Sequence, residues 1–151
     1  MPIYKSAVTD LAALGPSIQV AIGPSRELIA AFAPFGKELS APHSVTALID
    51  TGAHTTVLTP ELAARLRIEP VGKAPISTPS TTRAIMCDRY HVNVYFDEGF
   101  VVENVFAIEA PMGGVPYQCL IGRDILRLAT LLYDGPENQF ALEFGTTKNR
   151  G

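Results

Sequence analysis

Glycine and proline, twelve of each among 151 residues, are spread along the whole chain and cut it into short segments. Proline removes a backbone donor and glycine weakens regular elements, so each marks a place where the chain can turn. Most segments between these breaks read as strands. Residues 17–22 form one, closed by Gly23 and Pro24, and residues 44–49 alternate in part before becoming wholly apolar, as a strand does on entering a core. Residues 91–96 alternate strictly, with Val92, Val94 and Phe96 on one face. The turn Asp97-Glu98-Gly99 joins them to a strand over 100–107, a hairpin pattern. Residues 131–133 and 139–144 flank Asp134-Gly135-Pro136-Glu137-Asn138 as a second hairpin. Residues 26–32 suit a strand or a helical turn equally.

Two short helices punctuate the strands. At Thr59-Pro60-Glu61 a capping hydroxyl, a proline at the first helical position and an acid suited to the helix dipole come together, and Leu62 and Leu66 follow on one face. The second helix covers 124–128, with Asp124 as its cap. The expected fold is mostly β with one or two short helices, as one domain over residues 1–151. Residues 146–151 read as a frayed tail.

With 47% apolar and 18% charged residues the chain is that of a folded globular protein. A net charge of −3 and scattered Lys and Arg give no reason to expect nucleic acid. No apolar run approaches the roughly 20 residues a membrane helix needs, and no secretory signal opens the chain. The expectation is a cytoplasmic protein whose Cys87 and Cys119 are reduced thiols. His43, His54 and His91 are isolated from one another, so neither a metal nor another cofactor is expected.

The chemistry concentrates in Ala47-Leu48-Ile49-Asp50-Thr51-Gly52-Ala53, where an apolar strand runs into an aspartate and then a turn of small residues. A carboxylate delivered by a buried strand is costly unless compensated, which marks Asp50 as a candidate for function. Thr51 offers a hydroxyl, Gly52 permits close backbone approach, and Ala53 keeps the next side chain small. A second apolar run ending in glycine, Cys119-Leu120-Ile121-Gly122-Arg123-Asp124-Ile125-Leu126, lies far downstream. The loop Pro111-Met112-Gly113-Gly114-Val115-Pro116 reads as a turn, with a substrate-side rim as the alternative.

These two segments, in this order, resemble the active-site loop and the C-terminal segment of retropepsin-like aspartic proteases. The resemblance implies an all-β fold, a closed or partly closed barrel lobe, and endopeptidase activity with Asp50 catalytic, Thr51, Gly52 and Ala53 supporting its loop, and Ile121, Gly122, Arg123 and Asp124 belonging to the dimer scaffold. One Asp-Thr-Gly in a chain of this length implies a homodimer, each copy supplying one carboxylate to a peptide or protein substrate. A flap is assigned to residues 76–87, with Thr78, Pro79, Ser80 and Thr81 at its tip. For Arg123 and Asp124 the residues alone suggest an ion pair or a helix cap. A catalytically silent dimer that binds peptides is the alternative function, and an unrelated barrel matching by coincidence the more distant one.

Overall fold

The structure is a computed structural model and describes residues 3–7, 10–77 and 83–145. Its strands are β1 (Ile3–Ala7), β2 (Ser17–Pro24), β3 (His43–Ile49), β4 (Val57–Leu58), β5 (Gly72–Ile76), β6 (Ile85–Tyr95), β7 (Val101–Glu109), β8 (Cys119–Ile121), β9 (Ala129–Asp134) and β10 (Gln139–Phe144). Four short helices lie between them: α1 (Leu11–Leu14), α2 (Arg26–Phe32), α3 (Pro60–Leu66) and α4 (Arg123–Leu126). The all-β expectation holds. The ambiguous segment 26–32 is helical because Ser25 caps it, its hydroxyl accepting the Leu28 N–H at 3.2 Å. Thr59 caps α3 in the same way, with Pro60 at the first position.

Six strands close on themselves in the order β2-β3-β8-β4-β7-β6, because β6 pairs with β2 as well as with β7. Closure removes the open edges of a sheet and turns one face of every strand inward. Val20 and Ile22, Val45, Ala47 and Ile49, Tyr90, Val92 and Val94, and Cys119 and Ile121 fill that interior. The strand β6 is long enough to serve two neighbours on one edge. Its first half carries β5, and its second half pairs with β2.

The β6–β7 hairpin contains a bulge. Val92 opposes Val105 but Val94 opposes Val102, so β7 holds one extra residue. Asn104 absorbs it at φ +60°, a backbone region that asparagine tolerates better than most residues. Its N–H donates to Asn93 Oδ1 at 3.1 Å. The shift lets Val102 and Val105, three residues apart, both face the core.

A second sheet, β1-β10-β9, packs on the barrel through aromatic side chains. Phe144 lies 4.9 Å from Phe96 and 4.6 Å from Phe100, ring centre to ring centre. Offset and tilted aromatic pairs of this kind add to the burial they bring. Buried side chains from Leu11 to Phe144 form one continuous cluster. No helix among the described residues is long and apolar enough to cross a membrane.

Both cysteines are free, as expected from their spacing. Cys119 is fully buried in β8, and loss of hydration raises its thiol pKa from 9.0 to about 12, with Asp124 adding to the effect. The folded protein keeps this proton above pH 9 while the unfolded chain releases it. Its contribution to stability is therefore complete below about pH 9 and declines on the way to about pH 12, by at most about 1.4 kcal/mol per pH unit. In mildly alkaline solution iodoacetamide is expected to label half-buried Cys87 and to spare Cys119 until the protein unfolds. Equal labelling of both in the native protein would contradict this placement.

Candidate active site

The strand β3 ends with the core residue Ile49 and hands the chain to Asp50, which is half-buried. The junction is held from both sides. Ile49 N–H donates to Pro16 O at 2.8 Å, and Asp50 N–H donates to Ile121 O at 3.0 Å. The loop then doubles back, with Ala53 N–H donating to Asp50 O at 3.2 Å. Gly52 N–H donates to Asp50 Oδ1 at 2.9 Å, which fixes the carboxylate within its own loop. A side chain at position 52 would begin 3.2 Å from that same oxygen, so glycine leaves the contact uncrowded.

The downstream segment builds the other half of the site. β8 lies between β3 and β4, parallel to the first and antiparallel to the second, although β3 and β4 are close neighbours in sequence. Ile121 is buried and Gly122 passes against the backbone of the Asp50 loop. A Cβ on Gly122 would lie 2.5 Å from the Thr55 carbonyl carbon and 2.8 Å from Thr56 N. Its φ of −89° suits any residue, so the need for glycine here is steric. Arg123 reaches the loop twice: its N–H donates to Ala53 O at 2.8 Å and Nη1 to Thr51 O at 2.7 Å.

Asp124 neither caps α4 nor pairs with Arg123. Gly122 holds the cap position, and Asp124 sits in the first turn facing Thr56. Its carboxylate accepts the Thr56 N–H at 3.0 Å, the Thr56 hydroxyl at 2.8 Å and the Ile125 N–H at 2.9 Å. Thr56 is fully buried, and a charged acceptor meets its two donors where water does not. Its hydroxyl also accepts the Gly122 N–H at 3.3 Å, and its carbonyl accepts the Ile108 N–H at 3.0 Å. Thr56 thus ties α4 and β7 to the loop.

Asp50, Thr51, Gly52, Ala53, Ile121, Gly122, Arg123 and Asp124 therefore meet in one place. Thr78, Pro79, Ser80 and Thr81 lie outside the described residues. His54 is exposed beside the loop. Thr56 and Gln118 were not singled out from the sequence. Gln118 secures β8 to β3, its N–H donating to Thr46 O and its Oε1 accepting the Thr46 N–H, both at 3.0 Å. The sequence signal open to such a role is a hydroxyl residue just after the motif, at Thr56. Among the described residues, no group of three or more His, Cys, Asp or Glu is placed to hold a metal ion.

Gly122→Ala is expected to push β8 off the loop and to cost about 1–3 kcal/mol or more, as overpacking against unyielding atoms does. Urea unfolding of the variant beside wild type measures it. Unchanged stability would mean that the Thr55 backbone moves freely.

A model of the aspartyl protease family matches residues 40–125, the stretch holding both halves of this site. Among solved structures, the chain is similar to a retropepsin-like aspartic protease from Rickettsia conorii, with a TM-score of 0.54 and 11% identity over 97% of this chain and 95% of that one. It is also similar to the EIAV protease complexed with the inhibitor HBY-793, with a TM-score of 0.49 and 21% identity over 80% of this chain and 92% of that one. The retroviral protease-like domain of Ddi1 from Leishmania major gives 0.45 and 16%, over 87% and 96%. At these identities the likeness is one of fold, carried by the Rickettsia structure. No curated protein matches. The family match extends over more than half of the chain and takes in the Asp50 loop and the strand that pins it: the chain belongs to the aspartyl protease family.

Proposed function

We propose that the protein is an aspartic endopeptidase acting as a homodimer, with Asp50 of each copy forming a two-carboxylate site. The observation that carries this reading is the way Asp50 is held. Its Oδ1 is engaged by Gly52, whereas no donor among the described residues reaches Oδ2. The loop around it is anchored to β8 and α4 at three backbone atoms. Such a carboxylate is presented rather than consumed by the structure. Hydrolysis by an activated water needs both an acid and a base, and this chain brings one Asp-Thr-Gly.

A free sheet edge supports a second copy. Among the described residues β9 has a partner on one side only, and Leu132 and Tyr133 on it are 61% and 49% exposed. Unpaired edges with exposed apolar side chains invite another strand. In the dimer the two Asp50 carboxylates would share one proton, since like charges this close cannot both ionise cheaply. The ionised member takes a proton from a water, which attacks the peptide carbonyl, and the protonated member donates to the carbonyl oxygen. Thr51 would brace the two loops across the axis. Residues 78–81 would supply the flap tip over a bound peptide, paired to it as an added strand. The same proposal takes residues 1–151 as one domain. It also takes the two free thiols as suited to a reducing cytoplasm.

Asp50→Asn keeps an oxygen for Gly52 and removes the titrating group. Cleavage of a mixed peptide library over about pH 4 to 7, where a shared-proton pair is active, is expected to fall by about a hundredfold or more in this variant. Wild-type rates should rise faster than linearly with protein at low concentration. If folded, dimeric wild type cuts nothing, the peptide-binding reading takes over.

A further inference from the structure

We infer that a cavity beside the Asp50 loop receives an acidic side chain of the bound peptide, through the guanidinium groups of Arg89 and Arg127. The inference rests on the endopeptidase reading above and names a preference within its substrates. The cavity has a volume of about 400 Å3. Its walls include Thr55 next to the loop's anchor at Thr56, Ala74 of β5, Arg89 of β6, Phe106 of β7 and Arg127 just beyond α4. The loop and the β5–β6 arm are the two elements that would bracket a peptide, so the space adjoins the proposed cleft.

Four charged residues line this space, and their states differ. Asp124 is saturated by Thr56 and the Ile125 N–H, and Glu103 pairs with Arg26 at 2.9 Å. Neither arginine has a carboxylate within ion-pair distance among the described residues. With Glu103 answered by Arg26, the two arginines outweigh the Asp124 carboxylate, and the charge left over in the cavity is positive in a protein whose net charge is −3.

Arg89 is also positioned in advance. Its guanidinium lies over the Phe106 ring at 4.8 Å, and that ring stacks on His91 at 4.6 Å with 11° between the planes. His91 is fixed at both ring nitrogens, Nε2 facing Asn104 Oδ1 at 2.9 Å and Nδ1 facing Ser25 Oγ at 3.3 Å. An acceptor opposite Nε2 places an imidazole proton there. The Phe106 ring thus rests on an imidazole held in place at both ring nitrogens. A guanidinium held by its face offers its N–H edge, and the group matching that edge is a carboxylate taken in bidentate fashion.

The test uses one cleaved parent peptide carrying a single Glu, or its uncharged counterpart Gln, at each position out to about five residues from the cut, the length an extended cleft engages. At one position Glu is expected to raise kcat/KM about tenfold over Gln, chiefly through KM, as a charge-assisted bond does. Arg89→Gln and Arg127→Gln should each collapse that ratio, and Arg127→Glu should shift the preference at that position toward Lys. Arg127 is exposed, so its variants report even if Arg89→Gln fails to fold. Cleavage with no position favouring Glu, or a preference that survives both arginine variants, overturns the inference and leaves the protease reading standing. Should no peptide be cut, fluorescence anisotropy of the same peptides on the folded protein decides. A Glu preference lost in the arginine variants upholds the cavity without the protease, and equal binding of Glu and Gln peptides sinks it.

Discussion

Where β8 passes between β3 and β4, two stretches of backbone come closer than any side chain would allow. A methyl group at Gly122 would sit 2.5 Å from the Thr55 carbonyl carbon, well inside contact distance. That approach lets Asp50, Ala53 and Thr51 exchange hydrogen bonds with Ile121 and Arg123. It also brings Asp124 against the buried Thr56. The carboxylate of Asp50 is rigid because the strand beside it is rigid, and the strand is rigid because nothing but hydrogen separates it from the loop. The precision of the site is a property of packing before it is one of electrostatics.

Polar groups removed from water in this fold are answered in closed circuits. Thr56 gives two donors to Asp124 and accepts from Gly122 and donates nothing to solvent. Ser25, at the start of α2, joins His91 and Asn104 of the β6–β7 hairpin in a second circuit. Ser25 is fully buried, which suits a helix cap and denies it the access a nucleophile needs. Each circuit avoids the penalty of an orphaned group and so costs the fold little. Asn93 is the exception, its Nδ2 buried with no hydrogen-bond partner among the described residues. It stands beside the bulge, where the ladder is already interrupted.

The Asp50 motif could be read directly because its signals are local: an apolar approach, a carboxylate and a glycine within a few residues. The alternating strands and the hairpin turns were legible for the same reason. Asp124 was not, because its partner is Thr56, and proximity in space across 68 residues leaves no trace in spacing. A cap was the local reading of an acid ahead of a short helix, and a distant buried hydroxyl outweighed it. β4 and β8, of two and three residues, are too short to show a period. The bulge at Asn104 was equally silent, since one extra residue shifts the alternation without any change of composition.

The interleaving of β8 has a consequence for the order of folding. β3 and the Asp50 loop leave the ribosome ahead of β8, yet the carbonyl that accepts the Asp50 N–H belongs to Ile121. Until residues 119–124 emerge, the gap between β3 and β4 has no strand to fill it and the loop has none of its anchors there. Closing such long intervals is entropically slow, and the three bonds that tie the loop to β8 and α4 wait on it. A nascent or truncated chain thus carries the aspartate without the geometry. In a cell, that delay leaves the Asp50 loop without these anchors until nearly the whole barrel has been made.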